Sequence, residues 1–331
     1  MLHEAGPETL RAGGFEFKAV AANPTPSLSD SERAETVALV ARNPGRVTAE
    51  IIRALPRLQI ISAAGAGIDH IDVSAATGAG VPVVNNPGVG PRPVAEHVVG
   101  MMLALTKRIA VADRRLRTDG WTTRRAFLNE EMGGELTGKT VGIIGLGAIG
   151  THIARMCRGG FEATILAYSP SKSEEHLRAL GITRANTVLD LCAASDFVVP
   201  IVPYSNKTHH LIGERELRAI GPSGFLVNAS RGAVVDQVAL FQALTERRIA
   251  GAGIDVFDPE PPEPGDPLCS LDNVIVTPHI AGLSIEAVRE LSLSSAKQIL
   301  DVVAGRRPPF LVNPETWPPA REGSVLGGDN A

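Results

Sequence analysis

TVGIIGLGAIGTHIARMCRGG, residues 140–160, is the stretch whose reading decides the fold. Its first five residues are an apolar, β-branched run that predicts a buried strand, and THIARMCRGG predicts a helix. The glycines of GLGAIG, residues 145–150, therefore fall on the turn between strand and helix. There Gly145 permits the tight turn, Gly147 lets the backbone approach a pyrophosphate, and Gly150 allows the helix to pack closely on the strand. The helix start adds the amides of Ala148 and Ile149 and a partial positive charge, both suited to phosphate. Isolated, a GxGxxG is as readily a set of packing glycines; between a strand and a helix it predicts a dinucleotide site.

The residue that separates NAD from NADP lies about 20 residues further on, at the end of the next strand. TILAYSPSK, residues 164–172, offers Ser169 there and no acid before Glu174. Without a carboxylate nothing repels a 2′-phosphate, and Ser169, Ser171 and Lys172 can bond and neutralise it. The expectation is NAD(P), with NADP favoured over NAD. The plainer alternative for Lys172 is a solvated loop charge.

The rest of the chain fits an α/β protein. It has 331 residues, 44% of them apolar, which suffices for two domains. Short β-branched runs recur between helical stretches at 58–65, 81–86, 140–145, 164–169, 196–202, 224–230, 250–256 and 273–278, the alternation of doubly wound parallel sheets. Residues 94–117 carry apolar side chains at helical spacing, interrupted only by Gly100, and predict one helix long enough to bridge two domains. The glycine turn lies far from the start, and a last helical run (285–305) follows the final strand. The dinucleotide domain (97–284) is therefore expected to be inserted in a substrate domain (1–96 and 285–331). The Gly-rich residues 321–331 predict a disordered tail.

Composition narrows the function. A net charge of −4, with both signs interspersed, argues against a nucleic-acid or anionic-membrane surface. The sequence shows neither a signal-like start nor an apolar run of membrane-spanning length. Three separated cysteines, Cys157, Cys192 and Cys269, fit no disulfide framework or zinc site and read as reduced thiols. The expectation is a cytoplasmic protein acting on a small metabolite, without a metal. His209 and His210, adjacent on a loop, lack the spacing of a helical metal site.

Three further motifs follow strand candidates at their carboxyl ends, where open α/β sheets place ligands: NASRG with Arg231, GAGIDVFDPEPP with Glu260, and NVIVTPHIAG with His279. Taken singly these are a structural ion pair, a loop acid and a core histidine. Together with GAGIDHID (65–72), VAEH (94–97), GKTVGIIGLGAIG (138–150) and SRGAVVD (230–236), they make the chain resemble the D-isomer-specific 2-hydroxyacid dehydrogenases.

That resemblance implies a Rossmann cofactor domain inserted in a flavodoxin-like substrate domain, usually in a homodimer, and interconversion of small 2-keto and D-2-hydroxy acids. Arg231 would bind the carboxylate and carbonyl oxygen of a glyoxylate- or hydroxypyruvate-like substrate. His279 would give the proton in reduction and take it in oxidation, with Glu260 orienting the ring and favouring its charged form. Ala64, Gly65, Ala66 and Gly67 resemble the substrate loop, whose amides form a nest for the carboxylate. Asn86, Val202, Pro203, Thr208, Ala229, Ser230, Asp255 and Gly282 would surround the cofactor, Asp255 accepting from the nicotinamide amide unless it is a turn cap.

The chain departs from the family in two places. Members usually begin with a strand before the helix at which this sequence starts, and Ser169 replaces an acid common in NAD-dependent members. Arg92 beside the presumed cleft is read as a solvated surface charge over a second anion site. The rivals are a dinucleotide-sensing, corepressor-like binding protein, which would bind cofactor without turnover, and a formate- or phosphite-type dehydrogenase, which would ignore keto acids.

Overall fold

Residues 3–20, 27–42, 45–129 and 131–319 are described by a computed structural model of the chain. They divide into two units, one running to Gly90 and resuming at Leu283, the other Pro91–Gly282. Each change of unit lies slightly before the expected position. The first coincides with Pro91, the opening residue of the Pro91–Thr106 helix, where a fixed φ and a missing N–H suit a first turn.

The Pro91–Gly282 unit is built on seven parallel strands: β4 (Thr140–Ile144), β5 (Thr164–Tyr168), β6 (Thr183–Arg184), β7 (Phe197–Pro200), β8 (Phe225–Asn228), β9 (Gly251–Ile254) and β10 (Val274–Val276). Their order is β10-β9-β8-β7-β4-β5-β6. The chain thus works outward from β4 to β6, then crosses to β7 and works outward the other way, the Rossmann arrangement, with its switch point between β4 and β7.

Both faces of this sheet are covered, so its strands read as continuous apolar runs. Val141 and Ile143 join Val199 and Val227 under the Pro91–Thr106 and Ala148–Phe161 helices. Ile144, Val198 and Leu226 face the other way, beneath the Glu214–Ile220 and Gln237–Thr245 helices. Each such fully buried side chain contributes about 1.5–3 kcal/mol relative to exposure.

The other unit carries β1 (Ala38–Ala41), β2 (Ile60–Ala63) and β3 (Val83–Val84), parallel and in that order. Neighbouring residues again point to opposite faces. Ile61 and Val83 pack with Ile51 and Ile52, while Ile60 and Val84 pack with Leu10, Ala296 and Ile299. The Ile285–Val303 helix belongs to this unit. Among the described residues the first element is the Ala5–Ala12 helix. The tail at 321–331 lies outside the described residues.

One expectation is corrected. Residues 94–117 are two helices, Pro91–Thr106 and Ile109–Asp119, both within the second unit. Arg108 breaks the run with a left-handed backbone, φ 56°. The Thr106 carbonyl accepts from the Gly134 amide at 2.9 Å. Gly133 lies so near that a Cβ would stand 2.7 Å from the same oxygen. Arg108, at the break, and Arg115, in the second helix, both reach Glu131, at 3.2 and 2.6 Å. These tertiary contacts hold a conformation that local preference disfavours.

Among the described residues no helix is long and apolar enough to cross a membrane, and no cluster of three or more His, Cys, Asp or Glu could hold a metal ion. His209 and His210 stack on each other at 3.9 Å between ring centroids.

Candidate active site

The glycine turn has the shape that the chemistry of phosphate requires. Gly145 has φ 98°, and a Cβ there would lie 2.3 Å from the Ile201 carbonyl oxygen; one at Gly150 would lie 2.4 Å from the Gly145 carbonyl oxygen. Both must stay glycine. A Cβ at Gly147 would meet nothing within 4 Å. The Ala148–Phe161 helix begins there without a side-chain cap, so the amides of Ala148 and Ile149 can serve a pyrophosphate. Residues and fold therefore fit a dinucleotide, with Val202, Pro203 and Thr208 following β7, and Ala229 and Ser230 following β8, at the same carboxyl end of the sheet. Thr208 is tied into its own loop, its hydroxyl donating to the Pro203 carbonyl at 2.8 Å.

At the end of β5, Ser169 is buried, and its Oγ accepts the Leu146 amide at 3.3 Å. Its own hydroxyl hydrogen remains to donate. Lys172 closes a tight turn onto the Ser169 carbonyl at 3.1 Å. Arg184, not foreseen from the sequence, holds the Lys172 carbonyl with its guanidinium at 2.5 Å and pairs with Glu174 at 2.7 Å. Nothing in local sequence marks it, because it arrives from β6, the shortest strand of the sheet.

Arg231 leaves β8 through a turn made by Asn228, another residue not foreseen. Asn228 is 1% exposed. Its Oδ1 accepts from the Ser230 amide (3.1 Å) and hydroxyl (2.9 Å), and its Nδ2 donates to the Arg231 carbonyl at 2.9 Å. The Arg231 Nη1 donates to the Ser230 carbonyl at 2.7 Å. Gly232 then lets the loop after β9 come close, since a Cβ there would lie 2.0 Å from the Phe257 carbonyl. That loop carries Glu260.

His279, after β10, places Nδ1 2.5 Å from Glu260 Oε1. Burial pushes the Glu260 carboxyl up, but the His279 hydrogen bond, the charge of that ring, a Phe257 backbone hydrogen bond and the Arg231 charge together outweigh it. The carboxyl is held below its ordinary value and is ionised at neutral pH. A carboxylate only accepts, so Nδ1 carries the hydrogen and Nε2 is left to exchange a proton.

Asp255 is fully buried and acts as the cap of the loop that bears His279. Oδ1 accepts from Thr277 Oγ1 (2.5 Å) and the Ile280 amide (2.9 Å), and Oδ2 from the Ala281 amide (2.9 Å). Gly282 ends this loop against Val94.

Asn86 and the 64–67 loop belong to the other unit. The Asn86 side chain is engaged within its own unit. It is 1% exposed, its Nδ2 donates to the Ala63 carbonyl (2.8 Å) and Ser295 Oγ (3.2 Å), and its Oδ1 accepts from Gln298 (3.2 Å). Asn85 Nδ2 donates to the Ala66 carbonyl at 2.9 Å, and the Asn86 backbone amide donates to the Gly65 carbonyl at 2.8 Å. Arg92 is exposed in the first turn of its helix.

Comparison with known proteins agrees with this architecture. Residues 99–281 match the family model described as the D-isomer specific 2-hydroxyacid dehydrogenase NAD binding domain. A D-3-phosphoglycerate dehydrogenase of Archaeoglobus fulgidus is 40% identical over 81% of this chain, which spans 50% of that relative's length. A glyoxylate reductase of Thermofilum pendens is 41% identical over 82% of this chain and 79% of its own. Among solved structures, an NADPH-dependent glyoxylate/hydroxypyruvate reductase of Sinorhizobium meliloti in complex with NADP and malonate is 30% identical, covers 96% of both chains and superimposes with a TM-score of 0.79. A D-lactate dehydrogenase of Aquifex aeolicus complexed with NAD and lactic acid is 28% identical over 87% of this chain and 90% of its own, with a TM-score of 0.76. The chain belongs to the D-isomer specific 2-hydroxyacid dehydrogenase family of NAD(P)-dependent oxidoreductases.

The depressed Glu260 carboxyl gives a pH test. A lowered folded value contributes stability that is complete above the unfolded value, about 4.3, and is lost as pH falls through the folded one. Glu260→Gln should be less stable than the parent at neutral pH, with the gap in urea midpoint closing as pH drops from about 5 to about 3. A gap that stays constant over that range contradicts the assignment.

Proposed function

We propose that this chain reduces a small 2-keto acid of the glyoxylate or hydroxypyruvate kind to the D-2-hydroxy acid, and catalyses the reverse oxidation. The observation that carries this reading is the His279–Glu260 pair at 2.5 Å, within the electrostatic reach of Arg231. All three lie on the carboxyl ends of successive strands in the unit that bears the glycine turn.

A bound NAD(P)H supplies the hydride to C2. Arg231 binds the substrate carboxylate and polarises the carbonyl oxygen. As negative charge grows on that oxygen, His279 transfers the proton from Nε2, and Glu260 stabilises the ring in its charged form before transfer. In oxidation, the same Nε2 accepts the hydroxyl proton. His279→Ala should lower kcat for glyoxylate reduction by roughly 10²- to 10⁴-fold and leave cofactor affinity intact. Near-parent turnover in that variant would sink the reading.

NADP is the favoured cofactor. Ser169 is neutral where an acid would repel a 2′-phosphate, and Lys172 sits in a turn held from below by Arg184. The parent should show a higher kcat/KM with NADPH than with NADH, and Ser169→Asp should invert that order. A parent that prefers NADH refutes this choice.

The functional form is a homodimer. Ile109, Leu116, Trp121, Leu128 and Met132 are exposed within one segment, Trp121 at 75%, a concentration of apolar surface that a monomer rarely leaves uncovered. Sedimentation velocity should give a two-chain mass, and Trp121→Ser with Met132→Ser should weaken it; a parent that sediments as one chain contradicts the dimer. The free thiols of Cys157, Cys192 and Cys269 fit a cytoplasmic location, where thiols stay reduced.

A further inference from the structure

VAEH, residues 94–97, is the one motif quoted above to which the site assigns no task. Its histidine lies on the Pro91–Thr106 helix, with a side chain 22% exposed. His97 Nε2 stands 3.1 Å from Thr277 Oγ1 and 3.8 Å from Asp255 Oδ1. The order of donors along this chain of groups follows from counting hydrogens. Both Asp255 oxygens already accept backbone N–H groups, from Ile280 and Ala281, which marks the carboxyl as an acceptor. The single Thr277 hydroxyl hydrogen is therefore the one in the 2.5 Å contact with Asp255 Oδ1. Thr277 Oγ1 can then offer His97 only a lone pair, so Nε2 carries the hydrogen, in a neutral or a charged ring alike.

What this chain of bonds holds is the backbone of His279. That residue has φ 53°, a left-handed conformation that costs a non-glycine residue about 1–3 kcal/mol and persists only where the surroundings over-determine it. The surroundings are Asp255 on both sides: its carbonyl accepts the His279 amide at 2.8 Å, and its carboxyl accepts the two amides that follow. Thr277, two residues before His279, is fixed at its amide by the Ile254 carbonyl at 2.9 Å and at its hydroxyl by Asp255 and His97.

We propose that His97 is a positioning residue for the hydride-transfer reaction: by donating Nε2–H to Thr277 it directs the threonine hydroxyl onto Asp255 and so locks the loop that aims His279. This rests on the reading of His279 as the proton donor. Without His97, the threonine hydroxyl is free to turn from Asp255, the loop gains a second arrangement, and productive alignment is lost from kcat before cofactor binding suffers. Alignment errors of this kind are expensive, since a displacement of about 1 Å can cost about a hundredfold.

The test uses the full-length enzyme with glyoxylate and NADPH, and four variants: His97→Leu, His97→Gln, Thr277→Val and the His97→Leu/Thr277→Val double. Glutamine places an N–H donor where Nε2 lies. His97→Leu should lose about tenfold in kcat with the NADPH Kd, read by fluorescence, changed less than about twofold, and His97→Gln should keep at least about a third of parental kcat. Because His97 acts through Thr277, the double variant should fall no lower than Thr277→Val alone, within about threefold. The proposal is overturned by parental kcat in His97→Leu, by an equal fall in His97→Gln, by a Kd that weakens in step with kcat, or by multiplying losses in the double. His279→Ala run in parallel separates the two readings: its collapse beside an unimpaired His97→Leu removes only the positioning role, whereas its near-parent turnover removes both.

Discussion

A short hydrogen bond between an imidazole and an ionised carboxylate, His279 Nδ1 to Glu260 Oε1 at 2.5 Å, is the constraint around which the Pro91–Gly282 unit is arranged. Neither partner can hold it alone. Glu260 lies in a proline-rich loop after β9 and His279 in a loop after β10, and each depends on backbone contacts made by its neighbours. Gly232 brings the first loop against the turn after β8, and Asp255 grips the second through two amides. The ring thus presents a defined tautomer, and the charge of Arg231 lies near enough to act on the same carboxyl.

The parallel sheet makes this convergence inexpensive. Strands that all run one way deliver their loops to one edge, so residues separated by dozens of positions meet without long connections. The same edge receives the glycine turn between β4 and the Ala148–Phe161 helix. Apolar side chains on both faces of the central strands keep that edge rigid, as a site of fixed geometry requires. Where backbone strain is stored, at His279, a fully buried carboxylate holds it in place.

Much of this was legible in the sequence, because strand runs and glycine turns are local patterns. All eight expected strands appear, and Arg231, Glu260 and His279 fall at the ends of β8, β9 and β10. What escaped the reading is nonlocal. β6 has only two residues, Thr183–Arg184, too few for a periodic signal, so Arg184 and its hold on the Lys172 turn were invisible. The break at Arg108 has no glycine or proline beside it in the sequence; Gly133 and Gly134, from further along the chain, pack across the helix end. The partners of the Asn86 side chain, Ala63, Ser295 and Gln298, are equally invisible to local pattern, since two of them lie more than 200 positions away in the chain.

The proton on His279 Nδ1 is the most direct witness to the central claim. In protein labelled with 15N-histidine, NMR should show a ring proton bonded to His279 Nδ1, far downfield of the amide envelope as a short bond to a carboxylate demands, and this resonance should vanish in Glu260→Gln. A His279 whose Nδ1 bears no proton at neutral pH, or whose downfield resonance survives loss of the carboxylate, would contradict the account.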